Sequence, residues 1–252
     1  MRIKIVASPA PLAREAQAEI CSRYNCADDV KDADAIVVLG GDGTMLHAIH
    51  TYMDLGLPIY GMNRGHIGFL LNEYDPNHLD EKLEAAVDTI VHPLRAHVRT
   101  TTSRWDPLAI NDVSITRQTG QAAKLKISIA GQTRIEELIG DGLIVSTPTG
   151  STAYNRSAGG PILPLEAPML AVTPICAFRP RHWRGAIIPD NLQVDIEVLE
   201  PEHRAVMVAA DDFEIKDVLV VSVAPDTTKK VHILSDPGRS WSNKLLDEQF
   251  HD

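Results

Sequence analysis

The chain has 252 residues, of which 44% are hydrophobic and 23% charged, and its formal net charge is -10. This is the composition of an ordinary globular protein, long enough for one large domain or two modest ones, and no apolar run approaches the roughly 20 residues of a bilayer span. The negative balance argues against a broad nucleic-acid footprint, so neither a nucleic-acid nor a membrane partner is expected.

Ile3 to Ala7 reads as a strand, in a segment too short for a signal peptide, and Leu12 to Tyr24 reads as a helix. Cys21, Cys26 and Cys176 are odd in number and lack zinc-like spacing, which predicts reduced thiols in a cytoplasmic protein. Ala35 to Leu39 is a second strand. It ends in the turn Gly40-Gly41-Asp42-Gly43-Thr44, after which Met45, Leu46, Ile49 and Met53 fall at helical spacing. Thr44 is placed to cap that helix, and the glycines allow positive φ and close approach of a ligand. A helix start is a natural anion site, which makes Asp42 the odd element unless it handles a proton or a metal. His47 and His50 are not at i, i+4 spacing and have no third ligand nearby, so a zinc site is rejected. Pro58 to Gly61 continues as a third strand and Pro76 to Ala86 as a helix, and such alternation predicts a parallel sheet covered by helices.

The pattern changes near residue 95. Lys124 to Ala130, Leu192 to Leu199, Arg204 to Val208 and Asp217 to Val223 alternate with period two, which predicts a strand-rich, antiparallel, layered second domain. Ser240 to Phe250 is expected as a helix that returns to the first domain. The expected domains are therefore 1–95 with about 236–252, and 96–235.

Two polar segments stand out in the second part. Asn111 and Asp112 interrupt an apolar run between Leu108 and Ile115, and buried polar groups need partners, of which a ligand is one and a turn hydrogen bond another. Residues 140–154 carry a strand-like core, Leu143 to Val145, straight into hydroxyls, turn formers and Tyr154. A pocket wall needs that density of small polar groups, and Tyr154 offers a flat face to a base.

Together these blocks resemble the NAD kinase family. Gly40 to Thr44 resembles a turn shared by NAD kinases, diacylglycerol-type lipid kinases and phosphofructokinases. Gly61 to Leu70, Asn111-Asp112 and the longer stretch from Gly140 to Pro161 resemble NAD kinases in particular, in family order and in the compact bacterial form. The resemblance implies an α/β first domain with a parallel sheet, a layered β second domain, and transfer of the γ-phosphoryl of ATP, with magnesium, to the adenosine 2′-hydroxyl of NAD.

By that resemblance Asp42 is the proton acceptor, and Gly40, Gly41, Gly43 and Thr44 cradle the donor phosphates in place of a P-loop, of which there is none. Asn111 and Asp112 meet the adenosine ribose and base region, although many relatives carry Glu where Asp112 stands. Thr149, Thr152, Ala153, Tyr154 and Ser157 map onto dinucleotide-contacting positions, with Asp42 and Gly43 beside them. Phe69 is a wall of the site or, equally, a core residue. Asp141 maps onto an acid that reaches a ligand held largely by a neighbouring subunit, which implies a homodimer or homotetramer. No protein side chain is assigned to a metal. Two rival readings are a lipid or other small-molecule kinase of the same superfamily, which leaves Gly140 to Tyr154 unexplained, and an inert NAD-binding sensor, which has no need of Asp42.

Overall fold

A computed structural model describes residues 1–65 and 68–238. In chain order the elements are β1 (Ile3–Ala7), α1 (Pro11–Arg23), β2 (Ala35–Gly40), α2 (Asp42–Tyr52), β3 (Ile59–Asn63), α3 (Leu79–Ala85) and β4 (Val87–Val91). Then follow β5 (Leu94–Thr100), β6 (Arg104–Trp105), β7 (Leu108–Ala109), β8 (Asp112–Arg117), β9 (Ala123–Ile129), β10 (Gln132–Gly140) and β11 (Gly142–Ser146). The remainder are α4 (Tyr154–Ser157), β12 (Met169–Ile175), β13 (Ala186–Pro189), β14 (Val194–Val198), β15 (Val206–Ala210), β16 (Phe213–Ile215), β17 (Val218–Pro225) and β18 (Val231–Ser235).

The chain divides into two compact units, Met1–Val91 with Thr228–Asp252, and His92–Thr227. The first holds a five-stranded sheet of order β1-β2-β3-β18-β4, parallel except for β4. All six residues of β2 are buried, as a central strand covered on both faces requires. On one face Val37, Leu39, Tyr60 and Met62 pack with Ala13, Ala16 and Ile20 of α1 and Leu79 and Leu83 of α3. Gly61 points the other way, and a Cβ there would come within 3.3 Å of the Met45 sulfur, so α2 covers the opposite face. β18 belongs to this sheet rather than to the second domain where the sequence reading leaves it: Ile233 and Leu234 pair with Ile59 and Tyr60 of β3. Its short apolar run matches either kind of strand, and only the pairing decides. The helix expected over Ser240 to Phe250 lies outside the described residues.

Cys21 and Cys26 form a disulfide, with Cα atoms 5.5 Å apart, and are not the free thiols expected. Cys26 makes a parallel bridge with Ile3, supported by Ile3 N–H donating to Asn25 O and Ala27 N–H to Ile3 O. That pairing brings residue 26 back beside the end of α1, which cysteine spacing alone does not reveal.

The second unit is a two-layer antiparallel sandwich. One sheet has the order β10-β9-β14-β17-β5-β6, with β7 also on β5, and the other β13-β12-β11-β8-β15-β16. The period-two residues turn inward as alternation dictates: Leu125, Ile127, Val194, Ile196, Val221 and Val223 from one sheet meet Val113, Ile115, Leu143, Val145, Val172 and Val208 from the other in one core. Twenty-odd buried aliphatic side chains of this kind, each contributing about 1.5–3 kcal/mol, hold the strands that present the site.

Candidate active site

In the first unit the site is built at the carboxyl end of β2, the usual place for a ligand on a parallel sheet. The chain leaves β2 at Gly40 and enters α2 at Asp42, with Gly41 as the N-cap and no side-chain cap bond. Thr44 is thus not the cap that its position suggested. It sits in the first turn and lies against Gly40, where a Cβ would come within 2.5 Å of the Thr44 hydroxyl oxygen. The glycines also differ from expectation, since none of Gly40, Gly41 and Gly43 has positive φ. Gly40 makes room for Thr44, whereas a Cβ on Gly41 or Gly43 would meet nothing within 4 Å. Two bare positions therefore flank Asp42 at a helix N-terminus, a surface that a bulky anion can approach.

The segment after β3 closes against this turn. Arg64 N–H donates to Gly40 O at 2.8 Å, and the half-buried Asp42 receives Phe69 N–H on one carboxylate oxygen and Leu70 N–H on the other, both at 2.9 Å. Phe69 reaches Asp42 through its main chain. Arg64 itself stacks over Tyr74, 4.1 Å from the ring centre, and so braces the same segment.

In the second unit Asn111 lies between β7 and β8, and Asp112 opens β8. Asp112 pairs with Ser146 at the end of β11, while Ile110 and Asn111 bond through their main chain with the segment after it. Thr147 donates its hydroxyl to Ile110 O at 2.7 Å and its N–H to Asn111 O at 2.9 Å, and Gly150 N–H returns to the Thr147 hydroxyl at 3.1 Å. Gly150 packs so tightly on the Asn111 backbone that a larger residue has no room. Thr147 was not singled out in the sequence; its place directly after a buried strand was the available signal. The loop is then fixed by polar side chains turned inward: Asn155, fully buried, donates to Ser151 O and Pro161 O and accepts from the Thr173 hydroxyl at 2.6 Å.

Of the expected contact residues, Thr149 is buried within a single tight turn, Thr152 and Ala153 are half-buried, and Tyr154 and Ser157 are exposed. Two side chains are set apart electrostatically. Among the described residues Asn111 Oδ1 is the only buried side-chain polar atom without a hydrogen-bond partner. The neighbouring Asp112 carboxyl is pushed up to about 7, first by burial and then by the charge of Asp211. The Tyr154 phenol is raised by burial and then by the charges of Asp112, Cys176 and Asp141, which places these groups on one side of the unit. Asp141 is paired with Arg117, Nε to carboxylate, at 2.5 Å. Among the described residues no group of three or more His, Cys, Asp or Glu is assembled to hold a metal ion.

A buried, unpaired amide oxygen beside a buried carboxyl is costly unless a ligand completes it, and so the geometry calls for a polar partner. Comparison with known proteins supplies the family. Residues 12–90 match the model of the ATP-NAD kinase N-terminal domain and residues 110–233 that of the ATP-NAD kinase C-terminal domain. The chain belongs to the NAD kinase family. Among NAD kinases, that of Rhizobium meliloti (strain 1021) is 49% identical over 98% of this chain and 96% of its own. The NAD kinase of Caulobacter vibrioides is 46% identical over 99% and 96%. Yeast NADH kinase, solved with NADH, superposes with a TM-score of 0.86 at 22% identity over 100% of this chain and 88% of its own, and so shares the fold. The NAD kinase of Archaeoglobus fulgidus, solved with ATP, does so with 0.78 at 20% identity over 99% of each chain. The chain is thereby a phosphotransferase acting on NAD, and among its described residues no helix is long and apolar enough to cross a membrane.

Proposed function

We propose that the enzyme moves the γ-phosphoryl of ATP to the adenosine 2′-hydroxyl of NAD, with Asp42 orienting that hydroxyl and accepting its proton. Phosphoryl transfer is mostly positioning and charge stabilisation, so the residues need only hold the hydroxyl and the phosphate chain correctly. Gly41 and Gly43 border open space beside the start of α2, which suits phosphate oxygens on backbone N–H groups. A divalent cation carried by the nucleotide would supply charge neutralisation, and Asp42, whose two oxygens each accept one main-chain N–H, would offer it a hard oxygen ligand. The ATP complex of the Archaeoglobus relative supports this choice of donor.

The observation that carries the acceptor side is the unpartnered Asn111 Oδ1 next to the raised Asp112 carboxyl. An adenosine presents an exocyclic N–H donor and ribose hydroxyls, which match an amide oxygen and a carboxylate. Tyr154, 41% exposed, gives a face for a flat ring, and Thr149, Thr152, Ala153 and Ser157 flank it. The complex of yeast NADH kinase with NADH supports a dinucleotide on this fold. We read Asp141 as serving a neighbouring subunit's ligand, so that a homodimer or homotetramer forms and light scattering on the active enzyme reads at least twice the chain mass.

Purified protein with ATP, magnesium and NAD tests the whole reading, with NADP identified by a dehydrogenase specific for it. Formation of NADP, with the new phosphate on the adenosine 2′ position, is the expected result. Tight NAD binding with no phosphorylated product from any donor would instead make the chain a sensor, and phosphorylation of a lipid or sugar alcohol alone would overturn the assignment of substrate.

A further inference from the structure

Asp211 lies a hundred residues from Asn111 in sequence, at the two-residue turn joining β15 to β16, where Ala210 pairs with Phe213. The ladder between β15 and β8 sets Ala210 opposite Val113, which carries Asp211 to the start of β8. There its carboxylate accepts three successive main-chain N–H groups: Ile110 at 2.7 Å, Asn111 at 2.9 Å and Asp112 at 3.3 Å. In return Asp211 N–H donates to Asp112 O at 3.1 Å. The carbonyl side of the same stretch is taken by Thr147, on Ile110 O and Asn111 O. The backbone of residues 110–112 is thus bonded on both sides, and the polar atom left over is the buried Asn111 Oδ1.

We propose that Asp211 is the positioning residue for the dinucleotide-contacting pair Asn111–Asp112, an inference that rests on that pair's proposed role. It acts through the backbone it fixes and touches no reacting atom. The residue type follows from two demands. The turn needs φ of 51°, which Asp, Asn and Gly accept more readily than other residues. Gathering three N–H groups needs two acceptor oxygens, which only Asp of those three provides. A ligand group meeting Asn111 and Asp112 then finds them already ordered, and the cost of ordering them is not taken from its affinity.

The test uses Asp211→Gly and Asp211→Asn in the full chain. Glycine keeps the left-handed turn and removes the carboxylate; asparagine keeps one acceptor and guards against a glycine variant that fails to fold. Steady-state kinetics with NAD varied, then with ATP varied, are measured beside thermal midpoints, with Asn111→Ala as the reference. The expected result is a KM for NAD raised roughly tenfold or more in Asp211→Gly, with kcat and the KM for ATP changed little, and a smaller rise in Asp211→Asn. A lowered midpoint and a lowered kcat with both KM values unchanged would make Asp211 merely structural and overturn the proposal. If Asn111→Ala raises the KM for NAD while neither Asp211 variant does, the proposal fails alone. If Asn111→Ala leaves it unchanged, the role of the pair itself fails, and the proposal with it.

Discussion

The carboxylate of Asp42 accepts the main-chain N–H of Phe69 at 2.9 Å, across 27 residues of sequence. Its other oxygen takes Leu70 N–H at the same distance, so the side chain is held at two points by one segment. A carboxylate with the role proposed for Asp42 is useful only in a fixed orientation, and here the fixing comes from main-chain N–H groups.

Asp42→Asn should therefore do two things at once. The amide nitrogen opposes one of the two N–H groups, loosening the segment by about 1 kcal/mol, and the proposed proton acceptor is gone. Loss of the base lowers kcat about 100-fold or more. A variant folded to its usual melting profile but retaining kcat would remove Asp42 from the chemistry, and the phosphoryl transfer would then rest on positioning alone.

The two glycines before Asp42 should respond differently to alanine. At Gly40 the new methyl meets the Thr44 side chain at 2.5–2.8 Å, inside a fully packed strand end, so Gly40→Ala destabilises by about 1–3 kcal/mol. Gly41 has nothing within 4 Å of that position, and Gly41→Ala keeps its melting temperature. If Gly41 borders the phosphates, the same variant raises the KM for ATP; unchanged ATP kinetics would assign the phosphate cradle elsewhere.

Much of this was legible in the sequence, and the limits have physical causes. Helical and alternating periodicities identify α1, α2, β9, β14 and β17 because each buries one face against a core. The glycine turn and the Asn111-Asp112 pair stand out because polar and bare residues interrupt apolar runs. Periodicity carries no information on pairing partners, which is why residues 231–235 are left within the second domain and the Cys21–Cys26 bridge is missed. Thr44 reads as a cap because cap preference is local, whereas the N-cap is Gly41, three residues earlier. Asp211 is invisible for the same reason as β18. Its partners are brought by the register of β15 on β8, a relation between strands whose paired residues, from Val206–Arg117 to Ala210–Val113, are distant in sequence.

Asn111→Ala offers a signature that few binding-site changes give. The amide oxygen is buried and unpartnered in the ligand-free protein, a condition that costs about 1–3 kcal/mol. Removing it should leave the free protein as stable as before or more so, while the KM for NAD rises roughly tenfold. Differential scanning calorimetry with and without NAD reads both effects. A variant less stable by several degrees without ligand would mean that the amide serves the fold rather than the dinucleotide.

Asp112 gives the pH dependence. Burial, then the charge of Asp211, pushes its carboxyl from an ordinary 3.8 up to about 7. The native state thus holds a proton at pH values where the unfolded chain has released it. Between about pH 4 and pH 7 the native state binds more protons than the unfolded one, so this group's contribution to stability falls as pH rises and is fully lost above about pH 7. Over that window the loss is on the order of 4 kcal/mol. Asp112→Asn removes the titration, so its melting temperature should drop less between pH 5 and pH 8 than that of the unaltered protein, with the groups common to both cancelling in the difference. Binding runs the opposite way. A ribose hydroxyl donates best to the ionised carboxylate, and the KM for NAD should fall as pH rises through about 7, a trend the Asn variant lacks. Parallel pH profiles for the two proteins, in melting temperature and in KM alike, would place the titrating group elsewhere and leave Asp112 ionised throughout.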